Sequence, residues 1–278
     1  MHNPALAALG LDWRYLACDV RPDRLREAIA GAQAMKFIGL NLTVPHKLLA
    51  VDLVDQLDAS AKTWGAVNTV RFEGRDTSGV WQPLAQLNPD DIGELRSHGF
   101  NTDADAITRS LREDLGFEPS GASVLLLGAG GAGRTAALKL ASDGVDSLYL
   151  VNRTQSKAEE VVAEIRARFP KVKAHAGWPK GNVDLVQNST SLGLKPGDGS
   201  PLDEANFPLR RAHAVYDMIY RPAETPLLRA AKAAGCKVAN GLGMLLYQGV
   251  KALEIWTGQP APVDLMRAAL IKNVYGSA

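Results

Sequence analysis

The chain has 278 residues, 46% hydrophobic and 22% charged, with 31 Lys and Arg against 30 Asp and Glu and a formal net charge of +1. These are ordinary globular proportions that call for no nucleic-acid or acidic partner, and the length suits one large domain or two smaller ones. Two cysteines make no disulfide framework, no apolar run approaches the ~20 residues that span a bilayer, and the start carries no basic-then-apolar leader, so a cytoplasmic protein is expected.

Leu6, Leu9 and Leu11 predict a short opening helix stopped by Gly10, and Trp13 to Cys18 reads as a strand. Pro22 is placed to open a helix with Leu25, Ile29 and Ala32 on its apolar face. Phe37 to Leu42 is a second strand, ended by Thr43-Val-Pro45. Helices are expected from His46 and over 58–64, and a third strand over 66–72. Residues 74–98 are interrupted by Pro83, Pro89 and Gly93, and predict an irregular surface excursion with one short helix over 89–96. A helix with Ile107, Leu111 and Leu115 on one face follows Asn101-Thr-Asp103, with Thr102 or Asn101 as its cap. Beyond it strands alternate with helices: strands at 123–127, 147–151, 172–174, 183–187, 213–217 and 237–239, helices at 131–142, 155–168 and 224–234. That alternation predicts a mostly parallel sheet covered on both faces. Two further helices, 243–256 and one from Pro262, end the chain.

The first of these parallel strands runs into Gly128-Ala-Gly-Gly-Ala-Gly133 and then into an apolar helical repeat. Strand, glycine turn and helix in that order are the context of a dinucleotide site. Gly128 allows the tight turn and Gly130 opens the backbone to a pyrophosphate. Gly133 or Gly131 lets the helix pack on the strand, and the helix start aims unpaired N–H groups at phosphate. An acidic residue for a ribose 2′-OH would be expected about 20 residues on; this chain has Asn152-Arg153-Thr154 there, with Lys157 one turn later. A guanidinium and a hydroxyl in place of a carboxylate favour a 2′-phosphate, hence NADP over NAD. Asn188-Ser-Thr-Ser-Leu-Gly193 ends another strand and reads either as a holder of ribose and nicotinamide or as a polar turn.

Lys47 and Asp103 each stand at a loop–helix junction. Facing one cleft they would suit proton transfer to a carbonyl or alcohol oxygen; otherwise they are a surface lysine and a capping aspartate. His2, His46, His98, His175 and His213 show no metal-ligand spacing, and no nucleophile elbow or phosphate-loop lysine occurs, so neither a metal site nor a hydrolase is expected.

Several stretches together resemble the shikimate dehydrogenase family: Met1-His-Asn3, Asn41-Leu-Thr-Val-Pro-His-Lys47, Gly65-Ala-Val-Asn-Thr69, Asn101-Thr-Asp103, the glycine loop and Asn152-Arg-Thr154. Asn188 to Gly193, Tyr216-Asp-Met-Ile-Tyr-Arg-Pro222 and Asn240-Gly-Leu-Gly-Met244 with Gln248 continue the set in the family's order. The resemblance implies two α/β domains with a cleft between them: a mixed-sheet substrate domain over 1–102 plus 256–278, and a Rossmann-type NADP domain over 103–255. It implies reversible NADP-dependent reduction of the C3 carbonyl of 3-dehydroshikimate to shikimate, on the route to chorismate and the aromatic amino acids. Lys47 and Asp103 would be the catalytic pair, and Thr43, Asn68, Tyr220 and Gln248 the substrate contacts. Gly128, Ala129, Gly130, Gly131, Ala132, Gly133, Asn152, Arg153, Thr154, Lys157, Thr190, Ser191, Gly243 and Met244 would line the cofactor. The partner implied is a small cyclic hydroxy acid, with the protein a monomer or homodimer.

Three departures from the family pattern shape the expectations. Members usually carry a strand and a Ser-x-Ser-Pro stretch just before Met-His-Asn, serines that hold the substrate carboxylate; here Met1 opens the chain. The excursion at 74–98 is extra, and Ala106 replaces a frequent glycine. The alternatives are therefore a quinate/shikimate dehydrogenase of broader range, or a catalytically silent NADP-binding regulatory relative.

Overall fold

A computed structural model describes residues 1–88, 90 and 92–276. The chain divides into two compact units, residues 1–103 with 246–276, and residues 104–245. The second segment of the first unit begins within a helix, ten residues before the boundary expected at 256.

The first unit opens with α1 (His2–Ala8), α2 (Leu25–Ala34), β1 (Gly39–Asn41) and α3 (His46–Leu49). It continues with β2 (Gln56–Leu57), α4 (Ala59–Trp64), β3 (Thr69–Arg75), β4 (Trp81–Pro83) and β5 (Leu95–Phe100). The sheet order is β1-β3-β5-β2, with β4 on β3. Parallel β2/β5 and antiparallel β1/β3, β3/β5 and β3/β4 pairs make it mixed. Val70, Phe72, Ile29, Ala61 and Val67 form its core, each removed from water by at least 97%; fully burying a Val, Ile or Phe side chain contributes ~1.5–3 kcal/mol.

Two expectations are corrected here. Residues 13–18 form no strand; at Tyr15 the backbone is bonded by a side chain instead of a ladder partner, with Asn3 Oδ1 accepting from Tyr15 N–H at 2.7 Å and Asn3 Nδ2 donating to Tyr15 O at 3.1 Å. The 74–98 excursion is not irregular. After β1 stops opposite Arg71, β4 takes up the same edge of β3 at Glu73–Arg75. Its apolar residues Leu84, Leu87, Ile92 and Leu95 then join the core. Of the helix expected over 89–96, residues 89 and 91 lie outside the described residues, and Leu95 and Arg96 open β5 instead. β4 and β5 flank Glu73, which is almost wholly buried under Arg71, Arg96 and His98. Burial would raise its pKa, but these three hydrogen-bonding neighbours outweigh it and bring it to about 2.

The second unit follows α5 (Asp103–Leu115) with β6 (Ser123–Leu127), α6 (Gly131–Ser142), β7 (Ser147–Val151), α7 (Gln155–Arg168) and β8 (Lys173–Ala176). It continues through β9 (Val183–Asn188), β10 (Ala212–Asp217), α8 (Pro226–Ala233) and β11 (Lys237–Asn240) to the start of α9 (Leu242–Thr257), whose remainder belongs to the first unit together with α10 (Val263–Tyr275). The sheet is parallel throughout, in the order β11-β10-β9-β6-β7-β8. The chain order reverses between β6 and β9, so the loops at their carboxyl ends lie side by side, the place where ligands of open parallel sheets bind. The fold is thus two α/β domains, one mixed and one Rossmann-type. Among the described residues no helix is long and apolar enough to cross a membrane.

Candidate active site

In the first unit, a cis peptide between Val44 and Pro45 turns the chain from β1 into the short helix α3 that carries Lys47. That helix is tied back by its own carbonyl, since Val67 N–H donates to Lys47 O at 2.8 Å. Lys47 Nζ reaches Asp103 Oδ2 at 2.8 Å, with the side chains 27% and 13% exposed. The other carboxylate oxygen, Oδ1, accepts from Asn68 Nδ2 at 3.0 Å. Asn68 is buried and also makes a reciprocal pair with Thr102: Nδ2 donates to Thr102 Oγ1 at 2.9 Å, and Oδ1 accepts Thr102 N–H at 2.8 Å. Thr102 Oγ1 then donates to Gln248 O at 3.1 Å on α9. Asn101, rather than Thr102, accepts from the N–H of Asp103.

An ammonium held on one carboxylate oxygen, with the other oxygen fixed by an amide, keeps both the proton and its carrier in place. The pair is partly open to solvent, so a small oxygen-bearing ligand can reach it. This is the geometry of a general acid/base. Thr43 is exposed on the loop leading to α3.

In the second unit the glycine loop is shaped by what stands beside each glycine. Gly128 has φ +106, and a Cβ there would meet Thr190 Cγ2 at 2.9 Å. At Gly133 a Cβ would overlap Gly128 O, which is why α6 can lie so close to β6. Around Gly130 and Gly131 nothing stands within 4 Å of a Cβ position, leaving the loop open in front of the helix start. Asn152 clasps this loop, accepting from Ala129 N–H at 3.0 Å and donating to Thr154 O at 2.8 Å. A cavity of about 340 Å³ lies there, lined by Gly130, Gly131, Arg134 and Lys157 and also by Glu160 and Glu164, and Arg134 is held in a two-bond ion pair by Glu164. Arg153 and Thr154 are exposed beside Asn152. Open glycines at a helix N-terminus, with cationic side chains next to them, fit a dinucleotide pyrophosphate and a 2′-phosphate.

The neighbouring loops are held by a buried carboxylate. Asp217 accepts from Asn188 Nδ2 at 2.9 Å, Ile219 N–H at 3.0 Å and Thr225 Oγ1 at 2.7 Å, while burial pushes its pKa up against those three bonds. Asn188 Oδ1 in turn accepts from both the N–H and the hydroxyl of Thr190, and the Thr190 methyl packs toward Gly128.

Three family models cover much of the chain. Residues 1–70 match a shikimate dehydrogenase substrate binding domain, 111–177 a shikimate / quinate 5-dehydrogenase, and 241–271 a shikimate 5′-dehydrogenase C-terminal domain. A shikimate dehydrogenase (NADP(+)) of Methanopyrus kandleri is 38% identical over 282 residues, spanning 99% of this chain and 90% of the relative. The chain belongs to the shikimate dehydrogenase family.

Among solved structures, the shikimate 5-dehydrogenase of Thermus thermophilus, in complex with NADP(H) and shikimate, is 34% identical with a TM-score of 0.77 over 98% of this chain and 92% of its own. A 5-ketofructose reductase of Gluconobacter sp. strain CHM43 is equally similar, at 34% identity and TM-score 0.79 over 98% and 92%.

Within this family fold, Lys47, Asp103, Asn68 and the backbone of Gln248 are joined in one network in the first unit. Tyr220 is 37% exposed on the loop after β10, in the second unit. Gly243 has a packing reason of its own: a Cβ there would run into Asp114 and Ser110 of α5. Sequence reasoning assigned no role to Asn41 or Asp217, and named Asn188 only within a stretch read as a holder of ribose and nicotinamide or as a polar turn. Asn41 Nδ2 donates to Asn68 O at 3.3 Å and to Thr69 Oγ1 at 3.0 Å. The available signal for Asp217 was its place at the end of an apolar strand, where a carboxylate must find several donors to be buried.

Proposed function

We propose that this chain is an NADP-dependent shikimate dehydrogenase that reversibly reduces the C3 carbonyl of 3-dehydroshikimate to shikimate. The observation that carries the reading is the Lys47–Asp103 ion pair at 2.8 Å, with Asn68 on the second carboxylate oxygen. Reduction of a ketone places negative charge on its oxygen as the C–H bond forms. Lys47 Nζ donates the proton that neutralises it, and in the reverse direction takes the proton from the alcohol. Asp103 keeps the ammonium aimed and accepts from a ring hydroxyl, Thr43, Asn68 and Gln248 hydrogen-bond the remaining hydroxyls, and Tyr220 lies beside the substrate.

When bound, NADPH supplies the hydride. The glycine loop 128–133 binds its pyrophosphate, Arg153, Thr154 and Lys157 bind the 2′-phosphate, and Asn152 keeps the two loops in register. Thr190, Ser191, Gly243 and Met244 would also contact the cofactor. The reaction belongs to the route to chorismate and the aromatic amino acids, and we place the protein in the cytoplasm as a monomer or homodimer. Shikimate and quinate, each with NADP⁺ and NAD⁺, together with 5-ketofructose and NADPH, form the deciding panel. The expected result is oxidation of shikimate, with NADP⁺ preferred at least tenfold, about one charge-assisted hydrogen bond. Oxidation of neither acid would overturn the reading, and reduction of 5-ketofructose alone would replace its substrate.

A further inference from the structure

The stretch His2-Asn3, one of the family's motifs, has no part in the chemistry above, yet both its side chains touch Tyr15. Asn3 holds the backbone of Tyr15 on its N–H and its carbonyl. His2 lies flat on the Tyr15 ring, with centroids 4.3 Å apart and an interplanar angle of 14°. The same imidazole is buried, and its Nε2 donates to Gly249 O at 3.1 Å, one residue beyond Gln248. With backbone and ring both held, the Tyr15 hydroxyl arrives at a defined point, 3.0 Å from Asn41 Oδ1.

An asparagine amide has nearly the same shape either way round, and its hydrogen bonds decide which end faces which neighbour. Asn68 O can only accept, so Asn41 must turn Nδ2 toward it, at 3.3 Å. That leaves Oδ1 facing Tyr15, and the phenol must donate. The Nδ2 so placed reaches Thr69 Oγ1, which donates to Asn68 Oδ1 at 3.3 Å. Asn68 is the residue whose Nδ2 holds Asp103.

We propose that Tyr15 is a positioning residue for the reaction: its hydroxyl holds the Asn41 amide in place from the Oδ1 side, and through Asn41 and Asn68 the carboxylate of Asp103. The inference rests on reading Lys47, Asp103 and Asn68 as the substrate site.

Tyr15→Phe removes one oxygen and leaves the ring on His2 and the Asn3 clasp intact. On the substrate the wild type turns over, kcat/KM is expected to fall about 5-fold, the worth of one neutral hydrogen bond, with KM for NADPH and the melting temperature unchanged. In an Asn41→Ala background the same change should cost nothing further, because the residue it acts through is gone. Full activity of the single variant, or additive losses in the double variant, would overturn the proposal. A readout independent of the substrate is the side-chain amide resonances of Asn41 and Asn68 by NMR. Tyr15→Phe should shift both and speed their proton exchange, and unmoved resonances would overturn the proposal even if the protein acts on another substrate. Conversely, an inactive wild type with amide resonances that respond to Tyr15→Phe removes the shikimate reading and leaves the positioning contact standing.

Discussion

Around Lys47 the working contacts are made by side chains: an ammonium on a carboxylate, an amide on its other oxygen, and a threonine joining that amide to Gln248 O. At residues 128–133 they are made by backbone, and what matters is the side chain that is missing. A side-chain site tolerates small backbone adjustments but fails when one functional group is changed. A backbone site is indifferent to most neighbouring chemistry and fails when a methyl group is added. Proton transfer needs a group that can change its charge, and phosphate binding needs only fixed N–H dipoles close at hand.

The largest test of that contrast is Lys47→Met. It keeps the length of the stem and removes the acid, so kcat for shikimate oxidation should fall about 10³-fold. The dissociation constant for NADPH, read by fluorescence titration, should stay where it was. Weakened NADPH binding in this variant would break the separation between the two kinds of site. Next come two substitutions in the glycine loop. Gly130→Ala has open space around its Cβ, so the melting temperature should not move, while NADPH binding weakens about 100-fold because the methyl stands where the pyrophosphate must approach. Gly133→Ala drives its Cβ into Gly128 O, and should cost about 2–3 kcal/mol of stability as an overpacked contact. Equal behaviour of the two variants would show that the loop is held by something other than this close approach.

The most gradual expected effect is a pH dependence at the side-chain end. Burial lowers the pKa of His2 from 6.5 to about 4, against the hydrogen bond to Gly249 O, which would raise it. The folded protein therefore holds this imidazole neutral while the unfolded chain takes up a proton first. Stability from this group is complete above pH 6.5 and is lost as pH falls from 6.5 toward about 4, at a slope of about 1 kcal/mol per pH unit. Denaturant titrations between pH 7 and pH 4 should show the slope in the wild type and lose it in His2→Gln. A Glu73 carboxylate depressed to about 2 acts in a lower window, below 4.5, so the two groups can be told apart.

The parallel half was legible nearly residue by residue, because short apolar strands and helical repeats are local patterns. Strand 123–127 and helix 131–142 were expected over the ranges that form. The first half was less so. Trp13 to Cys18 has the composition of a strand, but a ladder also needs a partner, and the Asn3 side chain takes its place. The prolines and glycines at 74–98 suggested irregularity, whereas the edge of β3 left free beyond β1 gave β4 something to pair with.

The same division runs through the site. By itself the sequence determined a dinucleotide loop, since a glycine turn between a strand and a helix is specified within a dozen residues. From it also came the expectation of NADP, through Arg153 and Thr154 placed after the next strand. Only the tertiary structure decided that Lys47 meets Asp103 across 56 positions of chain, that Asn68 and Thr102 lock that carboxylate to Gln248 O, and that Tyr15 stands behind Asn41. Those contacts join segments remote in sequence, and no local period records them: hydrogen-bond partners are chosen by where the sheet and the returning helix bring them.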